Sequence, residues 1–518
     1  MTARRWSALL ATVLATISAA AAAQAQERHD LRIGQTTILT AHPTSATSNF
    51  GSRILYSIYE PVLPRDFQGG SQNAGSKPKA GIVESWNQVS PTVFEMKVRK
   101  GVLLHNGREV TPQDVGFTFA RQVGDKPIQP HALARGIEAV QVDGDIVRII
   151  TKQPDTLIQQ RVSTEMGFLV PEKEFQDMGA DAYNRAPVSA GPYKFQEQVQ
   201  GQFLRVASHD QYFRGMPPLK SVTYREIPEQ SGRLSALIAG DLDIITSVPP
   251  DQIRLIERYA DLKTASVPVE NYHMWLFRGP KTKEAPASHP VFDKRVRQAM
   301  AHAVNREQLA ERLWAGLTKV PPALNLPMFG EYFDASKKPL AYDPAKAKRL
   351  LQEAGYKGEE IELRWPAAYY VNMDRAIEVA HEQWKQVGLN VKLSPIESIS
   401  QISQPKGNMW AISGNVILPD PLGGAYLNYA PGLGFSGSHH SWDAPKEFVE
   451  LGEKMSMTTD VAERRKMFAR QMEIFDDEVP AIPLYQVVET YGLRKKIDWQ
   501  PISLYFMDFR PGTITVAK

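Results

Sequence analysis

The chain is predicted to be a mixed α/β protein of more than one domain, and three observations carry that reading. Strand-like and helix-like segments alternate from Asp30 onward. Thirty-seven prolines and 35 glycines punctuate the 518 residues, so few periodic stretches run long. Residues 361–393 spell a strand, a helix and a second strand in succession, the pattern of a βαβ unit. At 42% hydrophobic and 23% charged, the composition is that of a globular protein large enough for two or three domains around sizeable cores.

Taken in order, Phe94-Glu95-Met96-Lys97-Val98-Arg99 alternates apolar and polar side chains, as Phe203-Leu204-Arg205-Val206 does, which is the period of half-buried strands. The apolar run 102–104 is expected as a strand ending at His105, and Asn106-Gly107 suits a tight turn. Thr111-Pro112-Gln113-Asp114 opens a helix: the hydroxyl can cap free N–H groups, proline fits the first turn, and the acid favours the positive end of the dipole. Val115, Thr118 and Phe119 then share one buried face, so the histidine, acid and hydroxyls of residues 101–121 read as scaffold.

Residues 234–239 end a helix at Gly240 and lead into strand-like Leu242-Asp243-Ile244-Ile245. Residues 296–303 have helical spacing, and Asn305 caps a second helix over 306–314. Asp343, Pro344 and Gly355 mark the cap, first turn and stop of another, with Leu350 and Leu351 on its apolar face. Strand 361–365, helix 375–387 stopped by Gly388, and strand 391–393 complete the βαβ unit. Residues 69–80 form a polar, low-complexity loop, whereas the glycine-rich, aromatic stretch 414–442 is too long for a simple connection and is expected to carry function.

Residues 1–25 differ from the rest. Arg4-Arg5, an apolar run over 6–23 and the small-x-small end Ala23-Gln24-Ala25 read as a cleavable signal peptide. Trp6-Ser7-Ala8 fits twin-arginine export poorly, which favours the general secretory route. The run is short and alanine-rich for a permanent span, and no later window holds about eighteen uninterrupted apolar residues. With zero cysteines there is no disulfide, no thiolate metal site, no cysteine nucleophile and no lipid-modified cysteine. The expected product is a periplasmic protein that is not a lipoprotein. Sixty basic against 57 acidic residues, closer still to balance without Arg4 and Arg5, give no electrostatic grip on nucleic acid or anionic lipid.

Motifs of catalysis fail on context. Gly432-Leu433-Gly434-Phe435-Ser436-Gly437 satisfies G-x-G-x-x-G, but it follows Ala430-Pro431 rather than a strand and runs into Ser438-His439-His440-Ser441. Ser403-Gln404-Pro405-Lys406 fits S-x-x-K, yet Pro405 opposes the helix that would aim serine and lysine together. His381-Glu382 lacks the second histidine of H-E-x-x-H, and no G-x-S-x-G elbow is present. His439-His440 could supply imidazole ligands to a metal, but a full site needs partners that sequence does not locate. No cofactor and no catalytic residue is expected.

Several ordered motifs carry a resemblance. Glu84-Ser85-Trp86 with residues 94–121, Gly191-Pro192-Tyr193-Lys194-Phe195, Ala236-Leu237 through Gly240-Asp241-Leu242-Asp243-Ile244, Val296-Arg297-Gln298-Ala299 with Asn305-Arg306, Tyr342-Asp343-Pro344 to Gly355-Tyr356, and Ile482-Pro483-Leu484-Tyr485 are similar to the pattern of family 5 extracellular solute-binding proteins. These are the peptide-, nickel- and opine-binding subunits of ABC importers. The resemblance implies the large, three-subdomain form of the class II periplasmic-binding-protein fold, an α/β bilobal clamshell joined by crossover strands. It places lobe I at 27–270 plus 483–518, with an inserted subdomain at roughly 50–185, and lobe II at 271–482. Residues 271–277 and 483–486 would be the crossovers, so Tyr272 and Tyr485 are candidate ligand contacts. It also implies a monomer that docks transiently on a membrane permease.

The resemblance further bears on the ligand. Dipeptide binders of the family hold the ligand's ammonium with an aspartate ahead of an Asp-Pro pair; counting back from Asp420-Pro421 puts Ile417 there. An isoleucine cannot neutralise a desolvated ammonium, which would cost several kcal/mol. The arginine expected for the peptide carboxylate is likewise missing from Pro366-Ala367-Ala368-Tyr369-Tyr370. The expected ligand is therefore a longer or modified peptide, an opine or a polar conjugate, with Trp410, Asn415, Asp420, Tyr426, His439, His440 and Trp442 as further candidate contacts. The alternatives are a nickel–histidine chelate held through His439 or His440 and, more remotely, a secreted serine hydrolase built on Ser403.

Overall fold

The computed structural model describes residues 29–38, 49–67, 77–123, 134, 136–278, 289–397, 401–402, 409–416, 418–431, 433 and 442–517. In chain order its first eight strands are β1 (His29–Gln35), β2 (Val83–Ser90), β3 (Val93–Val98), β4 (Ile137–Asp143), β5 (Ile146–Thr151), β6 (Tyr193–Val199), β7 (Phe203–Ser208) and β8 (Leu219–Glu226). The rest are β9 (Ile244–Ile245), β10 (Leu262–Phe277), β11 (Ile361–Pro366), β12 (Val391–Ile396), β13 (Met409–Asn415), β14 (Ala481–Arg494), β15 (Ile497–Trp499) and β16 (Ile514–Val516).

Ten strands share one sheet in the order β12-β11-β13-β10-β14-β9-β1-β8-β7-β6. The antiparallel pair β10 and β14 forms its spine. β13 lies against the second half of β10, and β9 against the end of β14, so the two long strands join two differently built halves. Residue alternation decides what each face buries. Tyr272, Met274 and Leu276 enter one core with Trp410 and Ile412, while Trp275 and Phe277 enter another with Met409 and Ala411. Both faces are covered, which is why these strands read as nearly unbroken apolar runs. The parallel pair β11 and β12 flanks the helix Met373–Gln386, the expected βαβ unit.

A separate antiparallel sheet, β2-β3-β5-β4, packs under the helix Pro112–Ala120. That helix starts as the sequence requires: Thr111 and Asp114 form a reciprocal capping box, with Pro112 in the first turn and Val115, Thr118 and Phe119 buried. Gly240 and Gly355 close their helices in the left-handed region, and Asn305 and Asp343 cap theirs. Two expectations are corrected. Residues 102–104 form no strand; Leu103 makes an isolated bridge to Glu109, because the chain reverses at once through the turn that holds His105. The strand expected from Leu242 shortens to Ile244–Ile245, with Asp243 N donating to Arg32 O of β1 at 2.8 Å just ahead of it. Residues 69–76 of the loop 69–80 lie outside the described residues, as does Ser403-Gln404-Pro405-Lys406.

Candidate functional site: the bulged strand crossing

The spine breaks register at its centre. Pro268 pairs with Val488 but Tyr272 pairs with Gln486, so residues 269–271 bulge against a single residue of β14. The bulge frees main-chain groups that three distant segments then satisfy. Glu270 N donates to Ser503 O at 2.7 Å, Val416 N donates to Glu270 O at 3.1 Å, and Gln486 Nε2 donates to Val269 O at 3.0 Å.

Two buried ion pairs flank the crossing. Arg65 Nη2 donates to both carboxylate oxygens of Glu270 at 2.7 and 2.9 Å, and Ser503 Oγ donates to the same acid at 3.1 Å. Arg53, on the helix Asn49–Ile58, donates through Nη2 to Glu489 Oε1 at 2.7 Å and to Ser247 Oγ at 3.0 Å. Ser247 N also donates to Glu489 at 2.8 Å, from a residue held at φ 57°. Burial opposes the Arg53 charge most strongly, but Glu489 together with the Tyr491 and Tyr505 phenols holds the guanidinium above its usual range. The Tyr505 ring lies 5.4 Å from Arg53.

On the neighbouring face His273 sits among Tyr485, Tyr370 and Trp314, with ring centroids at 5.4, 5.5 and 6.2 Å. Burial lowers its pKa to about 3, so the imidazole is neutral. Burial likewise pushes the phenols of Tyr370, Tyr485 and Tyr505 up. The crossing thus combines paired buried charges with a neutral aromatic cluster.

The candidate contacts read from the sequence fall in different places. Tyr272, Trp410 and Trp442 come together in one core, where Tyr272 and Tyr429 hydroxyls meet at 3.4 Å and Tyr429 packs 6.4 Å from Trp442. Tyr426 is half-buried against that core. Tyr485 belongs to the opposite core with His273. Asn415 ends β13 with its main chain paired to Asn271. Asp420 is engaged elsewhere: Arg464 Nη2 donates to both its oxygens at 2.8 Å, Leu422 N donates at 2.9 Å, and Arg464 Nη1 donates to Tyr332 OH. Ile417, His439 and His440 lie outside the described residues. His381 accepts no partner histidine; its Nε2 lies 2.9 Å from Val391 O.

Arg53, Arg65, Glu270 and Glu489 were not among the expected contacts. A signal existed for the two acids: each is a lone charge in a largely apolar stretch, Val267-Pro268-Val269-Glu270-Asn271-Tyr272 and Gln486-Val487-Val488-Glu489-Thr490-Tyr491.

The family model for bacterial extracellular solute-binding proteins, family 5 Middle, matches residues 77–434. The chain belongs to that family. As a family 5 solute-binding protein it is a binding protein and not an enzyme. It is 28% identical over 355 residues to the oligopeptide-binding protein AppA of Bacillus subtilis, an alignment that covers 64% of each chain. It is 23% identical over 507 residues to the glutathione-binding protein GsiB of Shigella flexneri, covering 92% of each. Its fold matches that of a dipeptide-binding protein from Pseudoalteromonas sp. SM9913, solved with Met-Leu, at a TM-score of 0.83 and 19% identity, over 94% of this chain and all of that one. The bilobal family 5 architecture accounts for the ten-stranded sheet and its two long shared strands. Among the described residues no helix is long and apolar enough to cross a membrane.

Proposed function

We propose that this family 5 protein captures a peptide, or a peptide-like or opine-like solute, between its two lobes and delivers it to the permease of an ABC importer. In this reading residues 1–25 are a signal peptide, and the mature chain is a periplasmic monomer without a lipid anchor. Lobe I comprises 27–270 and 483–518, with the subdomain inserted at roughly 50–185, and lobe II comprises 271–482. The observation that carries the reading is the bulge at 269–271. There the shared strands change partners and Glu270 joins Arg65, Ser503 and Val416 at one point. A hinge of this kind lets two rigid halves close on a solute, because few backbone angles need to change.

Contacts between the halves support closure around that axis. Thr156 N and Oγ1 both donate to Ser456 O, at 3.2 and 3.1 Å, and Arg375 reaches Asp251 at 3.2 Å. The names of AppA and GsiB point to peptide chemistry, in keeping with the paired charges at the crossing. The missing arginine in 366–370 argues against the usual reading of both dipeptide ends. Calorimetry with a dipeptide, a tripeptide, glutathione and octopine, together with scattering before and after each addition, tests the proposal. Saturable binding with a smaller radius of gyration is expected for a peptide or the opine. Saturation by nickel with free histidine alone, or chemical turnover of any of these compounds, would sink it.

A further inference from the structure

Alternation along the central sheet puts three polar side chains in one row. His273 of β10 stands directly opposite Tyr485 of β14 on one side and Ser413 of β13 on the other. Directly opposed residues of antiparallel strands project from the same face, so the three side chains lie next to one another. Trp314, at the end of the helix Arg306–Trp314, covers the row, with its ring centroid 5.3 Å from that of Tyr485 and 6.2 Å from that of His273. Tyr370, from the loop after β11, packs 5.5 Å from His273.

The polar atoms of this cluster do not serve one another. Among the described residues Ser413 Oγ, His273 Nδ1, Tyr485 OH and Trp314 Nε1 are all buried, and all lack a hydrogen-bond partner. The Trp314 N–H leans toward the Tyr485 oxygen without closing a bond. His273, Trp314 and Tyr485 are 2%, 1% and 0% exposed, so bulk water does not compensate, and each unmet group is a cost to the fold. No charged side chain is aimed at the row, since burial alone accounts for the lowered pKa of His273.

The chemistry of the row selects its occupant. An indole N–H can only donate, the two hydroxyls can donate, and a neutral imidazole supplies one N–H. A carboxylate is the complement: it only accepts, its two oxygens take about four hydrogen bonds, and converging N–H and O–H groups stabilise its charge. An amide would bring N–H groups of its own and set donor against donor. Ser413 and Tyr370 are only half-buried, so the row is approached from their side.

We propose that the row Ser413–His273–Tyr485, with Trp314 above it, seats a carboxylate of the ligand through neutral donors, in place of the arginine missing from residues 366–370. The inference rests on the peptide or opine reading above and adds to it the group that is recognised and the residues that recognise it. Tyr370 positions the His273 ring.

The test uses trialanine, glutathione and octopine, each as the free acid and with its carboxylates amidated, titrated into wild-type protein, Tyr485→Phe, Ser413→Ala and the double variant. Wild type is expected to bind at least one free acid about tenfold or more tighter than its amide. In the double variant the two forms should bind within about threefold of each other, through loss of affinity for the acid. Each single variant should melt, without ligand, at or above the wild-type temperature, because no internal partner is lost. A double variant that keeps the wild-type ratio, a lowered melting temperature in Tyr485→Phe, or wild-type protein that binds acid and amide alike overturns the carboxylate assignment and leaves the solute reading standing. Wild-type protein that binds none of the compounds overturns that reading, and the assignment with it.

Discussion

Arg65 and Glu270, 205 positions apart in the chain, meet through a single guanidinium nitrogen that donates to both carboxylate oxygens at 2.7 and 2.9 Å. Both side chains are buried, and the acid stands at the bulge where the spine of the sheet passes from one half of the molecule to the other. Removing one partner leaves the other charge stranded. Glu270→Gln is expected to lower unfolding free energy by about 3 kcal/mol, and Arg65→Met with Glu270→Leu by clearly less. Urea denaturation of the three proteins checks this; equal losses for the single and double variants would show that the charge pairing is not what matters.

Asp420 was expected to be a ligand contact, and its carboxylate is bound to Arg464. Burial raises the Asp420 pKa, while Arg464 and the Leu422 N–H act against it. Asp420→Asn is predicted to cost about 3 kcal/mol of stability while changing peptide affinity less than tenfold at a temperature where the variant is folded. A thermal melt run beside calorimetry separates the two effects.

His105 and His273 give a pH dependence of defined sign. Burial is the leading cause in each and lowers both pKa values to about 3, with His209 adding to the effect on His105. The unfolded chain takes up protons near pH 6.5 and the folded one does not. These groups therefore cost nothing above about pH 6.5, and stability falls as pH drops toward 3, by up to about 1.4 kcal/mol per pH unit for each histidine. His273→Phe should flatten that slope. Guanidinium titrations at pH 7.5, 6, 5 and 4 measure it.

Gly191, in the Gly-Pro-Tyr motif, has no room for a side chain: a Cβ there would lie 2.3 Å from Ile58 O and 2.5 Å from Ile58 C. Backbone cannot rotate away as a flexible side chain can. Gly191→Ala is expected to destabilise by about 2–3 kcal/mol, visible as a lowered urea midpoint.

Thr156 tests closure. Thr156→Val removes one of the two hydrogen bonds accepted by Ser456 O; in the proposed clamshell this loss of about 0.5–1.5 kcal/mol falls on the closed form. A bound peptide should dissociate faster by up to about tenfold in stopped-flow displacement. The ligand-free open form should melt as wild type does.

The sequence made much of the framework legible because its signals are local. The Thr111–Asp114 capping box, the Asn305 and Asp343 caps and the Gly240 and Gly355 stops all act within about four residues, so pattern and chemistry are read together. The candidate site was less legible. Tyr272 follows from its place on the crossover, Trp410 and Trp442 from residue type, and the three share a core; type alone did not show that Asp420 would meet Arg464.

By itself, then, the sequence determined the α/β class, the order of its elements and the family, since each follows from periodicity, caps and motifs along the chain. Tertiary structure decided which charges face one another at the crossing. Arg53 and Glu489 are 436 positions apart, and nothing near either residue names the other. The physical reason is that a buried ion pair is stabilised only by a partner brought within about 3 Å and removed from water, a condition set by packing and not by neighbours in sequence.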